Sequence, residues 1–356
     1  MFDLNLYKAF LDKKNARPLY SCMWEPMINP SAAIISRASS DSHLSAFDVF
    51  PEDILSIADV VMDTMSKIKG DLPFAVQASG GHQWLEAICG CRIKASNDQI
   101  WASPPEKNTL DDFISAPLNT DWEKALLQCH KAMIGHAKNR CFTAVPVLHG
   151  PIDILCSFVG TMELAYTVIE EPEKLEIALK KAGHVFLDVS KKLIEMLEEY
   201  HGGYCSRMFV YTYKPCATLQ NDGSYLTSPQ AFKDLLEPVE RNIVNNLPCT
   251  VYHMHNSSLH LAEIIADYDI PAIQISVDTN GPPMDKQIAV YEKIKQKTPI
   301  LLSCWSITDM ELLRQNLSPQ GLALNYISAP DGCQINSAGS FDDFDLWQDV
   351  YDHFVK

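Results

Sequence analysis

Eight short, nearly continuous apolar runs recur along this chain, and they restrict its possible folds more than any other feature. They are Pro18 to Trp24, Phe74 to Ser79, Thr143 to His149, Arg207 to Tyr211, Cys249 to His255, Ala272 to Val277, Ile300 to Trp305 and Leu322 to Ser328. A strand that is apolar on both faces is covered on both faces, which is the habit of parallel sheets. Helical patterns fill the intervals. Pro172 opens the clearest of them, with Leu175, Leu179, Ala182, Val185, Phe186, Val189, Leu193 and Met196 at steps of three or four. Ser257 or Ser258 is placed to cap a helix from Leu259 to Tyr268, and Ser228 precedes Pro229 at the start of another. Strand alternating with helix through eight strands predicts an α/β fold, a (β/α)8 TIM barrel in one domain spanning residues 1–356. An open doubly wound sheet is the other topology, but no Gly-x-Gly-x-x-Gly follows a strand and no Walker loop occurs. The first hundred residues are less regular and are expected to form an N-terminal capping extension over one end.

Composition narrows the class of partner. Of 356 residues, 47% are hydrophobic and 21% charged, an ordinary globular balance. The net charge of −16 repels phosphate backbones, so nucleic acid is not an expected partner. A docking protein with a basic patch suits it better. No apolar run approaches the length of a membrane span, and the start of the chain lacks a signal-peptide pattern. The eleven cysteines show no ribbon or redox spacing; the closest pair is Cys89-Gly-Cys91. A reducing, cytoplasmic setting is therefore expected. The sequence is compatible with a homodimer as with a monomer.

In a barrel of this kind chemistry gathers at the C-terminal ends of the strands. Those ends carry Trp24-Glu25, His82, His149-Gly150, Tyr211, His253 with His255, Asp278, Cys304-Trp305 and, past the last strand, Cys333. Alternation along a strand puts His253 and His255 on one face, with Tyr252 and Met254 on the other. A thiolate from Cys333, in the loop Ala329-Pro-Asp-Gly-Cys333, would complete three zinc ligands and leave a fourth position open, the pattern of a catalytic site. Cys304 competes with Cys333 for that role, and Glu163 and Asp278 are candidate further ligands. Asp278, Glu25 and Tyr211 are candidate catalytic groups. His82, His149 and Asp222 are candidates for orienting substrate, and Trp24 and Trp305 for lining an aromatic pocket. Each has a plainer reading as well. Two interior histidines can simply hydrogen-bond to their neighbours, and Asp278 before Thr-Asn-Gly281-Pro-Pro equally suits a turn.

The block His149-Gly150-Pro151-Ile-Asp-Ile-Leu155 through Gly160, the long helix after Pro172, and Asp222-Gly-Ser-Tyr-Leu-Thr-Ser228-Pro229 before a helix resemble the uroporphyrinogen decarboxylase superfamily. The likeness covers most of the chain after about residue 140 and is patchy before it. True decarboxylases of that superfamily carry an arginine-rich segment after the first strand to hold porphyrinogen carboxylates. Here the comparable stretch is Cys22-Met-Trp24-Glu25-Pro-Met, without arginine, which disfavours a porphyrinogen substrate. The other branch, the corrinoid-dependent methyltransferases, carries a zinc motif of His-x-Cys plus a distant Gly-Cys. His253 and Gly332-Cys333 match it, His255 stands where the family has Cys, and Asn256 replaces the usual Gly.

The resemblance implies a zinc ion and a corrinoid (methylcobalamin) carried by a partner protein. Replacing a thiolate by a neutral imidazole withdraws negative charge from the metal and makes it a stronger Lewis acid. That favours activation of an ether or alcohol oxygen over activation of a thiol. The expected activity is transfer of a methyl group from a small O-methyl substrate to the cobalt of the corrinoid protein. Methylcobalamin:thiol transfer, a metal-free decarboxylase-like lyase and a corrinoid-binding accessory are the alternatives.

Overall fold

Apolar runs become parallel strands here, and the order of those strands places the site. The computed structural model describes residues 3–22, 42–78, 83–96, 99–328 and 344–356. In chain order the strands are β1 (Leu19–Cys22), β2 (Ser42–Leu44), β3 (Ala75–Gln77), β4 (Arg92–Ser96), β5 (Gln99–Ser103), β6 (Phe142–Ala144), β7 (Tyr204–Cys205), β8 (Tyr211–Thr212), β9 (Ala217–Gln220), β10 (Thr250–His255), β11 (Ile273–Val277), β12 (Ile300–Cys304) and β13 (Leu322–Tyr326). Six of them form one sheet in the order β9-β10-β11-β12-β13-β1, every neighbouring pair parallel. Helices Glu237–Asn246, Ala262–Ile265, Met284–Lys295 and Ile307–Asn316 occupy its successive crossovers. The strand side chains are almost all buried, as expected for a parallel sheet covered on both faces. This is the mixed α/β architecture that the alternating pattern predicts.

β3 and β6 make a second parallel pair. The chain beyond β6 reaches the edge of the large sheet. His149 bridges in parallel to Gln220, and the Gly150 N–H donates to the Gln220 carbonyl at 2.6 Å. At the opposite edge Ser21 bridges Gly70, and the Asp71 N–H donates to the Tyr20 carbonyl at 2.8 Å. β2, β4 and β5 form a separate antiparallel sheet, and β7 and β8 a two-residue-per-strand hairpin. The less regular first hundred residues thus contain that antiparallel sheet and helices Leu4–Leu11 and Pro51–Lys67.

Helix Pro172–Ile194 buries Leu175, Leu179, Ala182, Val185, Phe186, Val189 and Leu193, the stripe that the periodicity predicts; it ends before Met196. Ser228 caps the helix at Pro229 by accepting from the Ala231 N–H at 3.1 Å. Among the described residues no single helix is long and apolar enough to cross a membrane.

Two expectations need correction. The run Arg207 to Tyr211 adds no strand to the parallel sheet; only Tyr211 enters a strand, β8 of the small hairpin. Phe209 sits at φ 60°, a left-handed conformation that bends the chain, and the Ser206 N–H donates to the Val210 carbonyl at 2.8 Å across the bend. Its apolar residues are buried under the N-terminal helix instead: the Tyr7 hydroxyl accepts from the Tyr211 N–H at 3.1 Å. The strand actually used is β9, whose Thr218 and Gln220 are buried polar residues, so no apolar run announces it. In the second case, the helix placed from Leu259 to Tyr268 is a 3-10 segment, Asn256–Leu261, followed by the short helix Ala262–Ile265.

Gly150 is where the β6 segment and β9 meet most closely. A Cβ there would collide with the Asn221 side chain and the Gln220 carbonyl, and the carbonyl cannot swing aside without moving β9. Gly150→Ala is therefore expected to lower stability by about 1–3 kcal/mol in urea unfolding. Unchanged stability would mean that this strand junction gives freely.

Candidate metal centre

The end of β9 is fastened by its neighbours before any ligand is considered. The Asn221 amide donates to Glu240 Oε1 at 2.6 Å, and the Tyr252 and Tyr268 hydroxyls donate to the same carboxylate, each at 2.9 Å. Burial raises the Glu240 carboxyl to about 7, against the downward pull of those three hydrogen bonds. One residue on, the N–H groups of Asp222 and Gly223 donate to the Asp153 carboxylate at 3.0 and 2.6 Å. Burial, then the nearby Asp222 carboxylate, holds Asp153 above the usual carboxylate range, with His149 opposing. Gly223 is required at this bend because a Cβ would come within 2.9 Å of Cys156 Sγ.

Asp222 is thereby aimed at the end of β10. Its Oδ2 accepts from the Gln220 side chain at 2.7 Å. Its Oδ1 is buried and has no hydrogen-bond partner among the described residues. His253 and His255 lie on one face of β10, as alternation requires, with ring centroids 5.0 Å apart. Their Nε2 atoms stand 4.0 and 3.7 Å from Asp222 Oδ1. All three ligand atoms fall within 4.8 Å of one another. Donors about 2.1 Å from a shared ion at tetrahedral angles would lie about 3.4 Å apart, so the two carboxylate–imidazole separations need to close by only a few tenths of an ångström.

The other ring nitrogens are engaged in the way metal-binding histidines require. His255 Nδ1 donates to Asp278 Oδ2 at 2.7 Å. His253 Nδ1 pairs with Gln274 Oε1, and Gln274 turns that oxygen inward because its amide nitrogen is bonded to Ser303 Oγ at 2.9 Å. With Nδ1 protonated on both rings, each Nε2 carries its lone pair toward Asp222. A buried carboxylate oxygen and two imidazole nitrogens can hold a divalent transition metal; the nitrogen donors disfavour calcium and magnesium.

The structure therefore redistributes the sequence candidates. Asp222 joins His253 and His255 as a candidate ligand rather than a substrate contact. Asp278 lies behind His255, where it orients the ring. Trp305 follows β12 at the same end of the sheet and is 40% exposed. His149 Nδ1 pairs with the buried Glu86 carboxylate. Tyr211 is not part of the cluster. It packs against Phe142, at the start of β6, and against Tyr7, which puts it at the opposite end of the sheet. Glu163 is exposed on helix Thr161–Glu170 and stands apart from the three ligands. Cys304 is buried in β12, where desolvation drives its thiol far up, so it behaves as core. Trp24, Glu25, His82 and Cys333 lie outside the described residues.

Sequence reasoning missed Glu86, Asp153, Glu240 and Gln274. Three of these left a trace, since Gln274 interrupts the apolar run Ala272 to Val277, Asp153 interrupts Pro151-Ile-Asp-Ile-Leu155 and Glu86 interrupts Trp84-Leu-Glu-Ala-Ile88. Glu240 sits in an ordinary amphipathic helix and left none.

Removing the acceptor behind His255 in Asp278→Ala is expected to weaken zinc or cobalt(II) binding about 10- to 100-fold in a chelator competition, and Asp222→Ala to weaken it further. Equal affinity in all three proteins would remove the centre. Glu240 gives a pH signature. Folded, it keeps a proton between about 4.5 and about 7 that the unfolded chain has lost, so its contribution to stability falls as pH rises through that window and is level above it. The stability of the wild type relative to Glu240→Gln should drop by about 3 kcal/mol from pH 4.5 to 7 in urea unfolding. A difference independent of pH would mean that Glu240 is ionised throughout.

Compared with known proteins, the chain matches no protein-family model and no curated protein.

Proposed function

We propose that this protein is a zinc-dependent methyltransferase of the (β/α)8 barrel type. It would move a methyl group between a small O-methyl substrate and the cobalt of a corrinoid carried by a partner protein. The observation that carries the reading is the convergence of an unpartnered buried carboxylate oxygen and two imidazole Nε2 atoms, each imidazole held from behind by its own acceptor. Such outer contacts are what hold a metal's ligands in position. Support for the barrel reading comes from the parallel bridge of His149 with Gln220, which brings the segment after β6 alongside the edge of the six-stranded sheet. Support for the methyl-transfer branch comes from the resemblance of residues 149–160 and 222–229, from His253 in its zinc motif, and from the absence of an arginine-rich segment after β1.

Zinc held by two imidazoles and a carboxylate supplies a Lewis acid that polarises an oxygen bearing a methyl group. The chain's own residues do the rest. Asp278 and Gln274 fix the two rings, the Glu240–Asn221 contact fixes the carboxylate, and Trp305 offers an aromatic wall at the same end of the sheet. Cys333, following Gly332, is proposed to approach as a further ligand. The net charge of −16 suits a carrier protein that presents a basic docking face.

A second reading has one specific observation behind it. Two histidines and one carboxylate are also the donor set of mononuclear iron(II) oxygenases. Elemental analysis separates the two. Chain purified without chelator is expected to hold about one zinc, which His253→Ala loses and Cys333→Ser loses in part. At zinc a hundredfold above its dissociation constant, binding should add about 2.7 kcal/mol to stability, and a chelator should remove that increment. The zinc-loaded chain should form methylcobalamin from cob(I)alamin and 2-methoxyphenol. Iron in place of zinc would favour the second reading; no metal uptake, or no methylcobalamin, would overturn the methyl-transfer reading.

A further inference from the structure

Beside the metal triad lies a second pair of groups that metal binding does not use. Glu86, on the short helix Trp84–Ile88 after β3, is completely buried. One of its oxygens pairs with His149 Nδ1, and the other has no hydrogen-bond partner among the described residues. A buried carboxylate is costly unless it holds something, and here it holds an imidazole. That imidazole belongs to a residue whose backbone bridges Gln220, two positions before Asp222, so it stands at the same end of the sheet as the triad. The His149 side chain is 25% exposed, and its Nε2 has no hydrogen-bond partner among the described residues.

We infer that Glu86 and His149 form a proton-donating dyad in which His149 Nε2–H protonates the substrate oxygen as its methyl group leaves, with Glu86 as the positioning residue. The inference deepens the methyl-transfer reading and rests on it. The ether carbon–oxygen bond breaks, and its electron pair stays on oxygen. Cobalt(I) of the corrinoid co-substrate forms the new bond to the methyl carbon with its own electron pair and becomes formally cobalt(III). The oxygen takes the proton from His149 and leaves as the alcohol or phenol.

The arrangement matches that of nucleophile-activating and proton-transfer sites, where a third group fixes the ring and its tautomer. Electrostatics agree. Burial works against a charge on His149, but the contact with the buried Glu86 carboxylate outweighs it and holds the imidazole above its usual range, so the ring carries a proton to give.

The test compares two ethers in the full, zinc-loaded chain with free cob(I)alamin, following methylcobalamin formation. One is 2-methoxyphenol. The other is 3-hydroxy-4-methoxybenzonitrile, whose nitrile lies para to the ether oxygen and stabilises the departing phenolate without a proton. His149→Gln is expected to slow the first about 100-fold or more and the second far less, with zinc content unchanged and a lowered melting temperature, common to both assays, because the buried Glu86 carboxylate loses its partner. Glu86→Gln should show the same asymmetry, more weakly. Equal losses on both ethers, or loss of zinc in His149→Gln, would overturn the dyad while leaving the methyl-transfer reading intact. A zinc-loaded wild type inactive on both ethers would instead overturn the methyl-transfer reading, and the dyad with it.

Discussion

The site depends on how one short strand end is held. β9 finishes at Gln220, whose carbonyl is bonded to Gly150 and whose neighbour Asn221 is bonded to the buried Glu240. Only with that end pinned does Asp222 fall opposite His253 and His255. The pin is polar and buried throughout: Asn221, Glu240, Tyr252 and Tyr268 satisfy one another in a place water does not reach. Such a network is directional, so it sets position in a way that apolar contact alone does not. Its price is a carboxyl forced toward its neutral form.

The triad and the dyad are built by the same device. Each imidazole that faces the end of the sheet is held by an acceptor on the adjoining element: Asp278 behind His255, Gln274 behind His253, Glu86 behind His149. This leaves the chemistry to the outward nitrogens and makes the acceptors residues whose loss would blur the site rather than delete it. Parallel strands suit such an arrangement, because neighbouring strand ends lie side by side and each can present one side chain to the next. His253 lies in register with Gln274 on one side and Gln220 on the other, so its acceptor and the approach to Asp222 both follow from strand pairing.

Much of this was legible without coordinates. Seven of the eight apolar runs contain or overlap a strand of the parallel pairs, and the pair His253 and His255 on one face follows from period two alone. What failed did so for stated reasons. Arg207 to Tyr211 is apolar because it packs beneath the N-terminal helix, and hydrophobicity does not distinguish that from a sheet. β9 was invisible because Thr218 and Gln220 hydrogen-bond rather than repeat an apolar pattern.

By itself, then, the chain's sequence determined the α/β class, the long helix after Pro172 and the facing histidines, because these depend on local periodicity. Tertiary structure alone decided which carboxylate meets the histidines. In the sequence Asp278 is the stronger candidate, since it directly follows a legible apolar run, whereas the strand before Asp222 leaves no such run. In the fold Asp222 points Oδ1 toward the Nε2 atoms, and Asp278 lies behind a ring at Nδ1. That choice depends on strand order, on the close approach at Gly150 and on a buried glutamate 18 residues further along the chain than Asp222. Contacts between residues far apart in sequence carry no local periodicity, so only the folded chain expresses them.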